Sequence, residues 1–160
     1  GKNIMEVETI KSSELDDKSY LLNAITEYIK VRESKGIKNV NLNSHQTKVA
    51  IELIIELSEK FELNVELFMT KRRDRKFCRI RTILALELIR RNYNKSAIAL
   101  VLLRSHATIL HCIKMHKILV EIKDKEYSKY LFLYKGYLFE KGLPKVSIYN
   151  YSRSEMLLVI

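Results

Sequence analysis

Apolar residues recur at three- and four-residue intervals along most of this chain, a spacing that predicts helices and leaves little room for strands. The first predicted helix covers residues 12–34. Ser12-Ser13-Glu14-Leu15 opens it, Leu21, Leu22, Ala24, Ile25, Tyr28, Ile29 and Val31 form its apolar face, and it ends near Lys35-Gly36. Residues 39–44 carry three asparagines and no periodicity, and read as a linker that finishes in an N-cap at Asn43 or Ser44. A second helix follows, its apolar face made by Val49, Ile51, Leu53, Ile54, Ile55, Leu57 and Phe61. A short helical turn is expected at residues 65–69. A third helix over residues 76–92 places Ile80, Ile83, Leu84, Leu86, Leu88 and Ile89 inward and Arg79, Arg81, Arg90 and Arg91 outward. Tyr93-Asn94 breaks it.

The run K-S-A-I-A-L-V-L at residues 95–102 predicts a short apolar helix capped by Asn94 or Ser96. Arg104 or Ser105 starts the next one, which runs from His106 to about residue 123. It buries Ile109, Cys112, Ile113 and Val120 and leaves Lys114 and Lys117 on its polar side. Two helices joined by so few residues, the second opening with small polar groups, have the form of a unit that docks in a major groove. The last helix, residues 125–141, carries a stripe of Tyr127, Tyr130, Leu131, Tyr134, Tyr137 and Leu138. The stripe either packs on the chain's own N-terminal helix, the favoured reading, or joins two copies as a homodimer. Beyond Gly142 and Pro144, the β-leaning residues 146–160 read as a docked extension or short strand.

The expected fold class is therefore all-α: a helical bundle with a helix-turn-helix, an additional N-terminal helix and a C-terminal helix. Three segments are expected: a helical extension and linker at 1–44, the DNA-binding unit at 45–124, and the tyrosine-rich helix and tail at 125–160. One proline and four glycines in 160 residues agree with helices. Neither a run of about 18 apolar residues nor a secretory signal pattern is present, so a cytoplasmic protein of a bacterium, or of a phage within one, is expected. Cys78 and Cys112 do not make a disulfide framework, and both are expected to be reduced and buried.

Charge changes this picture from a plain bundle to a polyanion binder. Residues 1–66 hold nine Lys/Arg and twelve Asp/Glu, a net −3; residues 71–91 hold nine against two, +7; and residues 92–160 hold eleven against five, +6. The positive field starts abruptly at Lys71, in the cluster Lys71, Arg72, Arg73, Arg75, Lys76, Arg79 and Arg81. Arginine forks suit phosphates and guanine edges better than lysine does. Nucleic acid is thus preferred over a merely solvated face.

The basic cluster, the long helix after it, and then R-S-H-A-T-I-L-H at residues 104–111 resemble the C-terminal DNA-binding domain of the bacterial replication initiator DnaA, over residues 45–123. That family's signature is R-D-H-[ST]-T-V-x-H. Arg104, His106, Thr108 and His111 match it, with Ile109 at the valine position. Ser105 stands where the family has its acidic residue, Ala107 where it has a hydroxyl, and Leu102-Leu103 where it has a glycine pair. The resemblance implies that Arg73, with Arg72 or Arg75, enters the minor groove, where arginine reads width and potential. It implies that His106 and Thr108 face base edges in the major groove. Arg81, Lys95, Ser96 and the amides at the head of the short helix would hold phosphates. Ser105, Ala107, His111 and Lys114 complete the implied interface.

The glycines, at positions 1, 36, 136 and 142, leave no phosphate-cradling loop, so the initiator's ATPase and a bound nucleotide are not expected. His106, His111 and His116, spaced by five, do not share the helix face that a metal needs. No catalytic residue, metal or cofactor is predicted, and the protein is expected not to be an enzyme. The expectation is a sequence-specific binder of double-stranded DNA, acting in replication initiation or its regulation, with a phage or mobile element as one source. The alternatives are an assembly module whose basic patch meets an acidic protein, and a transcriptional regulator.

Overall fold

A computed structural model of the chain describes residues 2–38, 42–70 and 73–142, with side chains from residue 16 onward. Among these residues every regular element is a helix. In order they are α1 (Lys2–Ser34), α2 (Ser44–Lys60), α3 (Val65–Met69), α4 (Arg75–Arg90), α5 (Lys95–Val101), α6 (His106–Glu121) and α7 (Lys125–Glu140). The all-α expectation is met. The first helix extends ten residues further toward the N-terminus than its predicted start. The tail at 146–160, Lys71 and Arg72 lie outside the described residues.

Most helix starts follow one chemical rule, a short polar side chain that satisfies an orphan amide of the first turn. Asn43 accepts from the Gln46 amide at 2.7 Å while Gln46 reaches back to the Asn43 amide, a reciprocal capping box. Asn64, Asn94, Ser105 and Asp124 cap α3, α5, α6 and α7, each accepting one first-turn amide without the reciprocal bond. Helix ends follow a second rule. Glu62, Asn92, Leu103 and Lys123 all adopt positive φ, and the next residue's amide returns to the carbonyl five residues back, as in Arg104 N–H to Ala99 O at 2.9 Å. One left-handed residue with a cap one or two positions later makes each connection short. Leu103, with φ of 57°, does in the turn before α6 what a glycine would do without strain.

The core runs the length of the bundle, with Leu21 and Ile25 from α1, Leu53, Ile54 and Leu57 from α2, Ile80, Ile83 and Leu84 from α4, Ile98 and Val101 from α5, and Ile109 from α6. α4 lies at its centre and packs on α2, α5, α6 and α7. That position corrects the outward placement of four arginines. Arg81 and Arg90 are buried, while Arg79 and Arg91 are half-buried. A helix walled on so many sides has no broad polar face, so its charges must find partners inside. Glu87, fully buried, accepts from Nε and Nη2 of Arg90, lies 3.6 Å from Arg91 Nε, and receives the Tyr134 hydroxyl at 3.3 Å.

The tyrosine stripe of α7 is used within the chain. Tyr127, Tyr130, Tyr134 and Tyr137 are buried, and α7 packs on α4 and α6, where packing on the N-terminal helix was expected. Tyr130 meets Phe61, the residue just after α2, edge-on at 5.8 Å between ring centroids, and Tyr137 donates to Glu56 at 3.0 Å. Phe132 and Phe139, on the other side of α7, are exposed. No described helix is long and apolar enough to cross a membrane.

Candidate nucleic-acid interface

The chain bends by 104° between α5 and α6. Residues 102–105 make that corner: Leu102 ends α5, Leu103 takes the left-handed conformation, Arg104 turns the chain, and Ser105 caps α6. Ser105 Oγ accepts from the Thr108 amide at 3.2 Å and lies 3.0 Å from the Thr108 hydroxyl. An acidic residue here would cap the same amide, so serine keeps the helix start while removing a charge. His106, Ala107, Leu110, His111 and Lys114 of α6 are exposed. The first two turns of α6 therefore present a polar outer surface over a buried Ile109.

The predicted residues fall into two groups around this head. Arg73, Arg79, Arg81, Arg104, Ser105, Ala107, Thr108 and His111 line one cleft, of about 660 Å³, between α6 and the beginning of α4. Lys95, Ser96 and His106 lie on the other side, at the junction with α5, where Ser96 Oγ sits 3.3 Å from His106 Nδ1. His106 and Thr108, predicted as one reading pair, thus emerge on opposite flanks of the first turn. Arg73 and Arg75 are exposed and Lys76 is half-buried.

Three of the predicted arginines are engaged internally. Arg79 makes a two-point contact with Asp124, Nε and Nη2 each 3.1 Å from a carboxylate oxygen, and this contact holds the Asp124 carboxyl below the usual carboxylate range. Arg81 sits behind Phe68, its guanidinium carbon 5.7 Å from the ring centroid, and donates to the Cys78 sulfur. Arg104, the first signature residue, donates from Nη2 to the Thr70 carbonyl and from Nη1 to the Leu103 carbonyl at 3.0 Å. Burial, and next the Arg81 charge, lower its pKa. Arg104 therefore ties the turn before α6 to the residue that opens the basic segment.

Two participants escaped the sequence reading. Tyr28 of α1 donates its hydroxyl to the Arg104 carbonyl at 2.8 Å, which makes the N-terminal helix part of the site. Its spacing marked it only as one apolar position among many. Thr70 supplies a backbone carbonyl, for which no side-chain pattern exists.

The three spaced histidines have three surroundings. His106 meets Ser96, His111 lines the cleft, and His116 is buried with Nδ1 on the Tyr127 hydroxyl. Desolvation, then the neighbouring Lys117, lowers the His116 pKa to about 4. Cys112 is buried and Cys78 half-buried; both line the cleft, and burial pushes the Cys112 thiol up.

No known protein family, curated protein or solved structure matches this chain. What the site can do is thus read from its own geometry. An exposed polar helix head, cations on both flanks and a braced turn can meet a polyanion with a regular repeat.

Proposed function

We propose that the chain is a non-enzymatic, sequence-specific binder of double-stranded DNA, with α5 and α6 as its helix-turn-helix and α6 as the helix that enters the major groove. The observation that carries this reading is the sharp corner at residues 102–105, which leaves the first turns of α6 exposed between two cationic flanks. Helix pairs at roughly 90–120° joined by a short turn are the standard form of such readers. Arg73, ahead of α4, and Arg75, at its first position, reach the backbone or the minor groove on one side. Lys95 meets phosphates on the other, and Lys114, one turn beyond His111, meets them further along α6. Thr108, Ala107 and His111 face base edges, and Ala107 supplies an apolar contact for a thymine methyl.

The resemblance of residues 104–111 to the DnaA signature supports a role in replication initiation or its regulation, in a bacterium or a mobile element that replicates there. With Ser105 and Ala107 at two signature positions, the preferred site differs from the family's own.

Arg73→Ala and Thr108→Ala separate the two kinds of contact. After a preferred site is selected from a random duplex pool, Thr108→Ala should weaken that site by about 1–3 kcal/mol and leave random duplex nearly unchanged, whereas Arg73→Ala should weaken both. Equal losses on all sequences from the Thr108 change would contradict base reading by α6.

A further inference from the structure

The cleft between α4 and α6 holds more positive charge than the described residues neutralise. Arg81 is 5 % exposed, and its Nη2 has no hydrogen-bond partner among the described residues. A buried guanidinium donor left unmatched is rare, because desolvation without a compensating bond is strongly unfavourable. Arg104, half-buried, lines the same cleft, and burial, then the Arg81 charge, lower its pKa. No acidic residue is among the described residues that line the cleft. The Arg79 charge is matched by Asp124, which leaves Arg81 and Arg104 as the deep cations. The head of α6 also opens on this space through Ser105 and Thr108, and adds the positive end of a sixteen-residue helix.

We propose that this cleft binds a small phosphate monoester, with Arg81 and Arg104 holding the phosphate and the apolar floor of Leu103, Met115 and Leu119 receiving the organic body. The size is right for a small ligand: about 660 Å³ falls within the range of small-molecule sites. A backbone phosphate on a duplex rail meets outward cations such as Arg73 and Lys95. A terminal phosphate on a compact body can enter a recess and reach a side chain as deep as Arg81. Thr108 lines the same wall and offers its hydroxyl to a remaining phosphate oxygen, whereas the Thr82 hydroxyl is taken by the Cys78 carbonyl at 3.0 Å. The proposal does not rest on the duplex-binding reading, although Arg73, Thr108 and His111 line the same cleft and a ligand there would lie directly against α6.

The test uses the full chain and phenyl phosphate, a monoester with a planar apolar body. At low salt, calorimetric titration up to about 10 mM should give saturable one-to-one binding, weakened at least about tenfold by Arg81→Met. Cys78, half-buried in the cleft wall, supplies a reading on the unaltered protein should that variant not fold. Its alkylation by iodoacetamide should slow at least about fivefold in saturating phenyl phosphate, with free phenol as the control. Absence of saturable binding overturns the proposal, as does unchanged affinity in a folded Arg81→Met variant or unprotected Cys78. If random duplex shields Cys78 while phenyl phosphate neither binds nor shields it, the cleft belongs to the DNA backbone and the small-ligand site is refuted. Duplex binding measured in parallel shows separately whether the DNA reading stands.

Discussion

Glu87→Ala should remove about 3–5 kcal/mol of folding stability, the largest effect expected of any single substitution in the chain. Glu87 is fully buried and holds the Arg90 fork, Arg91 and the Tyr134 hydroxyl. Arg90 is itself 6 % exposed, so removing the carboxylate takes the counter-charge away from a guanidinium that water cannot readily reach. Tyr134 joins α7 to α4 through the same group, so the docking of α7 weakens as well. For a domain of this size the loss corresponds to a melting temperature roughly 10 °C lower. Glu87→Gln, which keeps an acceptor but not the charge, should fall between wild type and alanine. Thermal unfolding followed by circular dichroism measures both; a shift below about 2 °C for Glu87→Ala would show that the network is not held by this carboxylate.

Stability should also fall on mild acidification, and His116 should account for a distinct part of the loss. Burial depresses its pKa in the folded protein to about 4, from an ordinary value of 6.5. The neutral ring is thus favoured by folding, and the unfolded chain binds the proton more tightly. Stability linked to His116 is complete above pH 6.5, declines as pH falls through the window from 6.5 to 4, and is fully lost below it. The whole shift amounts to about 3 kcal/mol. Carboxylates titrate in the lower part of this window, so the informative quantity is the difference between wild type and His116→Gln, which keeps a polar partner near Tyr127. Urea denaturation at pH 7 and pH 4.5 should show a clearly smaller loss for the variant. Equal losses would place the acid sensitivity elsewhere.

Helical periodicity and caps made the elements legible, because both are local: the Asn43 and Asn94 caps and the helix from His106 lie where the residues themselves require them. The early start of α1 was not legible, since residues 2–11 mix polar and apolar groups without a clear face. The four arginines of α4 show what periodicity leaves out. Spacing tells which residues share a side of a helix, but not how many neighbours surround that helix, and α4 is surrounded. The same limit applied at the site. The run at residues 104–111 spans the turn and the head of α6, yet Arg104 is turned toward the Thr70 carbonyl and Arg81 lies behind Phe68. Tyr28 joins the corner across seventy-six residues of sequence, a separation over which no local pattern operates.

DNA binding itself is tested most directly by titrating a random-sequence duplex against the full chain over a range of salt concentrations. With about six to eight phosphates neutralised by Arg73, Arg75, Lys95, Lys114 and their neighbours, the logarithm of the association constant should fall linearly with the logarithm of salt, at a slope near −5 to −7. A flat dependence, or no duplex binding at low salt, would contradict the account.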